Sequence, residues 1–435
     1  MAAAATEPLP DLDEWRDDFE AFHARFADLF VRSEPRARSK RYLRGLLGGV
    51  ERRNGWQLAE AMGEDGPRAT QRLLTEVDWS AAAARDRLQE FCIEQFGDPE
   101  GIAVLDETGF LKKGDHSVGV QRQYTGTAGK RENCQIGVFL GYASRHGHVL
   151  VDRGLYLPRV WTDDPARCRA AKVPARVGFR TKPTLARRLL ARAARRGLPI
   201  QWVTGDEVYG DDPKLRAWLD RQPYHFVLAV ARSTPVWATR PRVRWPRRRP
   251  GVGGRPRTRP RVATAACRVD AVVATWPAAD WTRLAAYQGE KGPIEYDWAA
   301  RRVVEKADDL PGADRWLLVR RSVSDPTELA FSLSDAPADT PLATLARVAA
   351  TRYTIEQCLL EAKDDVGMDQ YEVRSWPGWY RFITLCMMAV AWVASVRRQL
   401  QARVDATPPA TRRAAKKGGP HPVRRGPSPK SGASS

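Results

Sequence analysis

Residues 101–231 carry the pattern of several strands and one helix, and this order constrains the fold more than any other feature of the chain. The strands are short apolar or alternating runs at 102–105, 118–124, 135–142, 149–157 and 200–204. An amphipathic helix, 184–196, lies before the last strand and has leucines on one side and five arginines elsewhere. Strands followed by a helix and another strand predict an α/β sheet.

The N-terminal region, 11–97, has the spacing of helices. Large aromatic residues recur there three and four positions apart, at Trp15, Phe19, Phe22, Phe26 and Phe30. Segments 56–62 and 68–75 each predict a short helix, and a break at 63–67 separates them. A second helix that carries Arg68, Gln71 and Arg72 fits a DNA-reading helix-turn-helix, although an ordinary helical hairpin has the same pattern.

The positive charge of the chain is concentrated in two segments. The net charge is +19, and 240–261 holds ten arginines and no acid, while 412–430 holds seven basic residues and no acid. A surplus of this size favours a polyanionic partner, nucleic acid before membrane. Prolines in 240–261 prevent a helix and a central strand alike, so we expect an exposed loop that contacts a DNA backbone through arginines that include Arg247, Arg248 and Arg249.

The remaining composition indicates a cytoplasmic protein. The six cysteines contain no Cys-x-x-Cys pair, which argues against a disulfide framework and against a zinc site. The N-terminus lacks the basic start and apolar run of a signal peptide. The longest apolar stretch, 383–396, is too short to span a bilayer and predicts a buried helix. We therefore expect no membrane partner.

Two aspartates follow predicted strands, and each begins an acidic turn that contains glycine. Asp106 stands in Leu-Asp-Glu-Thr-Gly after one apolar run, and Asp206 stands in Gly-Asp-Glu-Val-Tyr-Gly after another. Acids at the ends of core strands lie at the edge where α/β sheets place their sites. Two such acids repel each other, and a hard cation between them would keep both ionised.

A third carboxylate is expected from a helix at 340–366, with Thr340 and Pro341 as its start and Gly367 as its stop. A helix advances ~100° per residue, which brings Arg352, Glu356 and Lys363 onto one face. A carboxylate between two cations suits a site that grips metal and phosphate together. A solvated salt-bridged stripe has the same spacing, but the apolar residues around Glu356 argue against it.

These residues resemble a known family, the DDE transposases of bacterial insertion sequences, and within it the IS701 family. The resemblance covers roughly 20–395 and rests on the two aspartate motifs and on a C-terminal block that runs from Arg352 through Glu356 and Lys363 to 371–376. Wider relatives carry a tyrosine three residues before the arginine, where this chain has Ala349.

The resemblance implies an α/β, RNase H-like catalytic core with a strand-rich insertion between the second aspartate and the glutamate. It also implies that Asp106, Asp206 and Glu356 are the catalytic residues and hold two Mg²⁺ ions, for which Mn²⁺ can substitute. The expected activity is cleavage of double-stranded DNA at the ends of an element and joining of the 3′-hydroxyls to target DNA. Arg352 and Lys363 are then expected to contact DNA, and a homodimer is expected in the synaptic complex.

These expectations divide the chain into five regions: an N-terminal helical DNA-binding domain at 11–97, the first part of the core at 98–231, the basic loop and insertion at 232–314, the second part of the core at 315–398, and a basic disordered tail at 399–435. Three alternatives stay open from sequence: an RNase H-like repair nuclease, a catalytically silent DNA-binding protein descended from a transposase, and a non-enzymatic RNA-binding protein.

Overall fold

A computed structural model describes residues 12–244, 260–289 and 292–406. Its N-terminal region is helical, as the aromatic spacing predicts, and Phe19, Phe22, Phe26 and Phe30 are all buried. The five helices are α1 (Leu12–Ala24), α2 (Ser33–Leu47), α3 (Gly55–Ala61), α4 (Arg68–Thr75) and α5 (Ala81–Phe96). The predicted pair of short helices is present as α3 and α4, and the side chain of Asn54 caps the first of them.

The core sheet has the strand order of an RNase H-like fold, and the predicted fold class is confirmed. Its strands are β1 (Ile102–Leu111), β2 (Gln121–Thr125), β3 (Lys130–Ser144), β4 (Gly147–Leu155), β5 (Trp202–Gly205) and β6 (His225–Val230). They follow the order β4-β3-β1-β5-β6, and β2 also pairs with β3. Strands β1, β3 and β4 are antiparallel neighbours, whereas β5 and β6 run parallel to β1.

Helices cover both faces of this sheet. They are α6 (Arg159–Thr162), α7 (Pro165–Ala170), α8 (Lys182–Arg195), α9 (Glu207–Gly210), α10 (Pro213–Leu219), α12 (Leu342–Asp364) and α13 (Trp376–Ala406). Leu189 of α8 packs against Gly154, and Ile355 of α12 packs against Gly141. Register parity places these two glycines on opposite faces, since Gly154 pairs with Val138 and Gly141 lies three residues further along β3.

The sheet continues from β6 into strands on both sides of residue 314, where the sequence predicts the boundary between the insertion and the second part of the core. The further elements are β7 (Pro235–Trp237), β8 (Val243–Arg244), β9 (Arg261–Val262), β10 (Cys267–Arg268), α11 (Val269–Val273), β11 (Thr282–Gly289), β12 (Gly292–Ala307), β13 (Leu310–Ser322) and β14 (Leu329–Ser334). Strand β13 pairs with β12, and β14 joins β13 to β6. Strand β13 crosses residue 314, so the strands on both sides of this predicted boundary form one continuous part of the sheet.

The arginine-rich loop is described only at its two ends. Strands β8 and β9 pair there as a two-stranded antiparallel ribbon, so the regular structure that the prolines argue against is present at these four residues. Arg247, Arg248 and Arg249 lie outside the described residues.

The long C-terminal helix corrects two predictions. Helix α13 reaches Ala406, so 399–406, predicted to belong to the disordered tail, is helical, and 407–435 lies outside the described residues. The apolar stretch 383–396, predicted to be too short to span a bilayer, belongs to a helix of 31 residues. In the described part of the chain, α13 alone has the length and composition to cross a membrane, yet 67% of its most apolar window is buried within the protein. The prediction that this stretch forms a buried helix is confirmed.

Helix α12 begins one position later than predicted. Its N-cap is Pro341, and no side chain caps it, so Thr340 does not have the predicted capping role. Its end follows the prediction, because Gly367 has a positive φ of 64° and its N–H bonds back to the carbonyl of Lys363.

Candidate functional site

Asp106 and Asp206 lie side by side where the end of β5 meets the middle of β1. Strand β1 continues to Leu111 because residues 106–111 also pair with β3, so the prediction that this strand ends before Asp106 is wrong, whereas Asp206 does follow the end of β5. Strands β1 and β5 are parallel neighbours, and Leu105 pairs with Gly205, so each aspartate is the next residue along its chain. Asp106 shares a face with Val104, which pairs with Gly141, and this is the face that α12 covers. The sheet therefore brings together two acids that are 100 positions apart in sequence.

The pKa values of both aspartates are raised, which shows how poorly the protein alone solvates their charges. Burial raises the pKa of Asp106 to about 8, with the charge of Asp206 as the second cause. Burial also raises the pKa of Asp206 to about 6, and the charge of Glu107 adds to this. The guanidinium of Arg352 opposes both shifts. A further cation near these two carboxylates would favour their ionised forms.

Each aspartate uses one oxygen to accept a nearby backbone N–H. Oδ1 of Asp106 accepts the N–H of Glu107 at 2.7 Å, and Oδ1 of Asp206 accepts the N–H of Val208 at 3.0 Å, which caps α9. Within the described residues, no donor hydrogen-bonds Oδ2 of either side chain. Two such oxygens without donors, at β1 and at the end of the neighbouring β5, suit a hard cation such as Mg²⁺.

Glu356 reaches the same part of the sheet from α12, paired with Arg352. Nη1 of Arg352 lies 2.7 Å from Oε1 of Glu356, one helical turn apart, and the two side chains are 36% and 42% exposed. The charge of Arg352 also acts on both aspartates, so Arg352 and its partner Glu356 lie in the neighbourhood of the aspartate pair. The predicted helix face is thus present at this part of the sheet.

The three carboxylates do not form a closed ligand set in this arrangement. Over 12–244, 260–289 and 292–406 there is no group of three or more His, Cys, Asp or Glu side chains close enough to hold one metal ion. Glu356 would have to turn from Arg352 toward the aspartates to become a third ligand. Exposed pairs of this i,i+4 type contribute only about 0.3–0.5 kcal/mol, so this rearrangement costs little.

Lys363 lies near Asp106 on the same face. Its Nζ contacts the hydroxyl of Thr127 at 3.2 Å, and that hydroxyl donates to the carbonyl of Gly109 on β1. Burial lowers the pKa of Lys363, and the charge of Asp106 is among the interactions that oppose this shift. A half-buried ammonium near Asp106 can contact a phosphate held at the same place.

The predicted DNA-reading residues lie elsewhere. Arg68, Gln71 and Arg72 are on the exposed side of α4, and Nε of Arg72 pairs with Glu76 at 2.8 Å. These three residues line a cleft of about 420 Å³ between α4 and the segment 371–375. Further cations border this cleft, namely Arg53, Lys172 and Arg374. The structure therefore separates this basic surface from the carboxylates.

A second cluster, absent from the sequence-based site, fixes the aspartates from the opposite face. Glu107 points toward α8, where its Oε1 lies 2.5 Å from Nζ of Lys182 and its Oε2 accepts the hydroxyl of Tyr209 at 2.8 Å. Tyr209 follows Asp206 by three residues, so this contact ties the turn of Asp206 to β1. The repeated Asp-Glu pairs at 106–107 and 206–207 were the available signal in the sequence.

Gly210 explains why the second motif ends in glycine. A Cβ at this position would lie 1.7 Å from the carbonyl oxygen of Ala229 on β6. Only glycine lets α9 pack this closely against the sheet, and α9 is the helix that Asp206 caps. The glycine thus belongs to the support of the carboxylate rather than to the chemistry.

Comparison with known proteins agrees with this geometry. The family described as DDE superfamily endonuclease matches residues 25–293, more than half of the chain, a range that includes both aspartates and ends before Glu356. A relative from Microchaete diplosiphon, named as a probable transposase for insertion sequence element IS701, is 26% identical over 192 residues. The aligned part is 43% of this chain and 46% of that protein, so the chain spans about half the length of this curated relative.

The resemblance drawn from the sequence motifs is confirmed by both findings. With an RNase H-like sheet, two aspartates side by side at β1 and at the end of β5, and a family match that contains both, the chain belongs to the DDE superfamily of endonucleases.

Proposed function

We propose that this protein is a transposase that binds the ends of a mobile element, cleaves the DNA there and joins the free 3′-hydroxyls to target DNA. The observation that carries the proposal is the juxtaposition of Asp106, within β1, and Asp206, at the end of the neighbouring β5, with Arg352 interacting with both and with Glu356. The likeness to a transposase of IS701 supports strand transfer in addition to simple cleavage.

Asp106, Asp206 and Glu356 would hold two Mg²⁺ ions, or Mn²⁺ in their place. When bound, the ions would supply activation of the attacking oxygen and stabilisation of the leaving 3′-oxygen. The two aspartates contribute the free Oδ2 atoms described above, and Glu356 contributes its carboxylate after it leaves Arg352. Asp106, with a pKa of about 8, would have to give up its proton to bind an ion at neutral pH, whereas Asp206, with a pKa of about 6, is already mostly ionised there.

Arg352 and Lys363 would hold the scissile phosphate. Once Glu356 turns toward the aspartates, the guanidinium of Arg352 loses its partner and is free to make a charge-assisted bond to a phosphate oxygen. Lys363 would offer a second cation from further along the same face of α12. Both residues act on the reacting phosphodiester by orientation and charge rather than by proton transfer.

The exposed basic surfaces would bind double-stranded DNA, both element ends and target, away from the chemistry. Arg68, Gln71 and Arg72 on α4 are placed for readout by a helix, whereas Arg247, Arg248 and Arg249 belong to a segment suited to backbone contacts. We further propose a homodimer when two ends are brought together, and a location in the cytoplasm at the nucleoid without a membrane partner.

The test uses the full chain with DNA carrying the ends of its element. Asp106→Asn, Asp206→Asn and Glu356→Gln should each abolish cleavage in Mg²⁺ while DNA binding in chelator is kept. Asp115→Asn, a highly exposed acid outside the site, is the matched control and should cleave normally.

The products decide among the candidate activities. Strand-transfer products show a transposase, whereas cleavage without joining would indicate a repair nuclease. DNA binding without cleavage by the unaltered protein would indicate a catalytically silent descendant. Full activity of Asp106→Asn or Asp206→Asn would contradict the assigned site itself.

A further inference from the structure

An arginine-lined cleft, separate from the carboxylates, lies at the free edge of the core sheet beside β4. Its volume is about 360 Å³, and it is bordered by α5, by 174–180, by α8 and by the start of α13. Seven arginines line it, and its lining contains no aspartate or glutamate. This imbalance of charge is not explained by the proposed chemistry at Asp106 and Asp206.

One buried carboxylate behind the cleft forms ion pairs with three of the seven arginines. Asp152 is fully buried and accepts two bonds from Arg192, at 2.7 and 2.8 Å. The same carboxylate lies 3.7 Å from Arg153 and 4.0 Å from Arg85. Arg85 has a further partner in Asp86. These acids neutralise part of the buried wall but do not reach the rest of the cleft.

The outer arginines have no acidic partner in the described parts of the chain. Arg176 and Arg188 make no side-chain hydrogen bond there, and Arg180 only approaches the carbonyl of Gly178 at 3.4 Å. Burial lowers the pKa of Arg188, and the charges of Arg180 and Arg192 lower it further. These guanidiniums therefore repel one another, which is the electrostatic state that a bound anion would relieve.

Arg153 gives a second and independent indication. It is 1% exposed and lines the cleft, and its Nε has no hydrogen-bond partner. Its Nη2 donates to the carbonyl of Ala81 and to the hydroxyl of Thr384. Those contacts hold the guanidinium in place but leave the Nε–H without an acceptor. A buried donor without a partner is destabilising, and an acceptor bound in the cleft would relieve part of that cost.

The rest of the chain offers few carboxylates to fill the cleft. Outside the described residues the acids are Glu7, Asp11 and Glu290, whereas 245–259 and 407–435 are basic and contain none. The anion is therefore expected from another molecule. Arginine forks match phosphate oxygens, and a row of them suits a repeating phosphate backbone.

The cleft is also connected to the candidate active site through α8. Lys182 at the start of this helix pairs with Glu107, the residue after Asp106, and Arg180 lies two positions before Lys182. Arg188 and Arg192 continue along the same helix into the cleft. DNA engaged at the carboxylates would meet Arg180 first and the other arginines beyond it.

We propose that this cleft binds the phosphate backbone of DNA, without reading its sequence, beyond the bond that the carboxylates cut. The inference rests on the proposed function only in its choice of DNA as the polyanion. Sequence-independent binding is expected because the cleft offers guanidiniums and an apolar wall rather than a rigid element that could enter a groove.

The test removes two cleft charges, one just before α8 and one on it, and compares the effect with that of removing two charges elsewhere on α8. Arg180→Gln with Arg188→Gln alters the cleft, and Arg187→Gln with Arg195→Gln is the matched control, since Arg187 and Arg195 are exposed on α8 and do not line the cleft. Binding of a random-sequence duplex by the full chain is measured in chelator at several salt concentrations. We expect the cleft pair to flatten the log–log salt slope by ~2 units and the control pair to change it much less.

Equal changes from the two pairs would show general surface charge and overturn the proposal, as would an unchanged slope in the cleft pair. Folding of the variants is checked by thermal melting, where removal of mutually repelling charges should leave the Tm unchanged or raised. DNA binding is measured without metal and without cleavage, so it is independent of activity. If the unaltered protein does not cleave DNA but the cleft pair weakens DNA binding, only the proposed function is contradicted. An active protein that binds equally well without Arg180 and Arg188 would contradict only this inference.

A second measurement distinguishes a DNA backbone from a small anion. Hydrogen exchange at 174–180 should slow when the duplex is added and stay unchanged with inorganic phosphate at the same ionic strength. Protection by inorganic phosphate alone would mean a small-anion site and would overturn the assignment to DNA.

Discussion

Arg352 and Glu356 form an ion pair of 2.7 Å on one face of α12, and the same guanidinium partly opposes the rise that burial causes in the pKa values of Asp106 and Asp206. One arginine thus provides a positive charge that acts on all three acids. A divalent ion at the aspartates would take over this role and would free Arg352 for a phosphate. The ion pair between Arg352 and Glu356 would therefore have to break for the proposed active arrangement to form.

The first prediction follows from this exchange. Glu356→Gln should abolish cleavage but preserve a metal-dependent rise in Tm, because Asp106 and Asp206 still provide ligand oxygens. Arg352→Gln should keep Glu356 and slow cleavage by at least ~10²-fold, since one charged donor to the phosphate is missing. The measurements are single-turnover cleavage and melting with and without Mg²⁺. A cleavage rate of Arg352→Gln equal to that of the unaltered protein would exclude a role for this arginine at the phosphate.

The second prediction concerns stability and pH without metal. The folded pKa of Asp106 is about 8 and its unfolded value is about 4, so the folded state binds the extra proton between these values. The free energy of unfolding should therefore fall as the pH rises from ~4 to ~8, and then level off. Asp106→Asn has no carboxyl group to ionise, so its free energy of unfolding should not show this fall. At pH 8 in chelator it should be more stable than the unaltered protein by at most ~5 kcal/mol, since each unit of pKa shift corresponds to about 1.4 kcal/mol.

Urea unfolding at pH ~4 and at pH ~8 measures the free energy of unfolding of Asp106→Asn and of the unaltered protein. Asp115→Asn is the control, and its free energy of unfolding should change with pH as that of the unaltered protein does. Mg²⁺ should raise the Tm of the unaltered protein at pH 8 and raise that of Asp106→Asn much less. Equal stability of Asp106→Asn and the unaltered protein across the range would show that burial does not hold the proton on Asp106.

The third prediction separates a phosphate contact from a structural role at Lys363. Lys363→Gln should slow cleavage by ~10²-fold while overall DNA affinity changes little, because Lys363 supplies only one of many phosphate contacts. Lys363→Arg should recover part of the rate, since it restores the charge. Lys113→Gln, an exposed lysine near β1, serves as control. A fall in Tm with an unchanged cleavage rate would instead assign Lys363 to its hydrogen bond with Thr127.

The fourth prediction tests the support of Asp206. Gly210→Ala places a methyl group against the carbonyl of Ala229, so α9 must move, and the free energy of unfolding should fall by about 2–4 kcal/mol. Cleavage should fall with it even at temperatures where the variant is folded, because Asp206 caps α9. Gly66→Ala is the matched control, since nothing lies within 4 Å of a Cβ there. Urea unfolding and cleavage assays on both variants measure the effects.

The fifth prediction concerns the arginine-rich loop. Because β8 and β9 pair at its base, 245–259 can be replaced by a short turn that keeps this ribbon. The deletion removes six arginines and should flatten the salt slope of DNA binding by ~0.9 for each phosphate that the loop neutralises, with similar weakening for specific and random DNA. Titration at several salt concentrations measures this. An identical slope after deletion would mean that the loop does not touch DNA.

The sequence by itself determined the local structure and the chemical character of this protein. Helices α3 and α4, the strands that lead to Asp106 and Asp206, and the helix that carries Arg352 and Glu356 all follow from side-chain spacing over a few residues. Spacing of this kind is sufficient because a helix or a strand repeats its exposed and buried positions with a fixed period. The aspartate motifs carried enough chemistry to identify the family.

Only the tertiary structure decided which of these elements meet. Periodicity does not specify a strand's neighbour, so the pairing of β1 with β5 and the insertion of β14 beside β6 depended on the order of the whole sheet. The same register turned Asp106 toward α12 and Glu107 toward Lys182, which adjacent positions in the sequence could not show. The arginine cleft is the clearest case, because Arg85, Arg188 and Arg381 come from distant parts of the chain and share one surface only after β4, α8 and α13 have packed together.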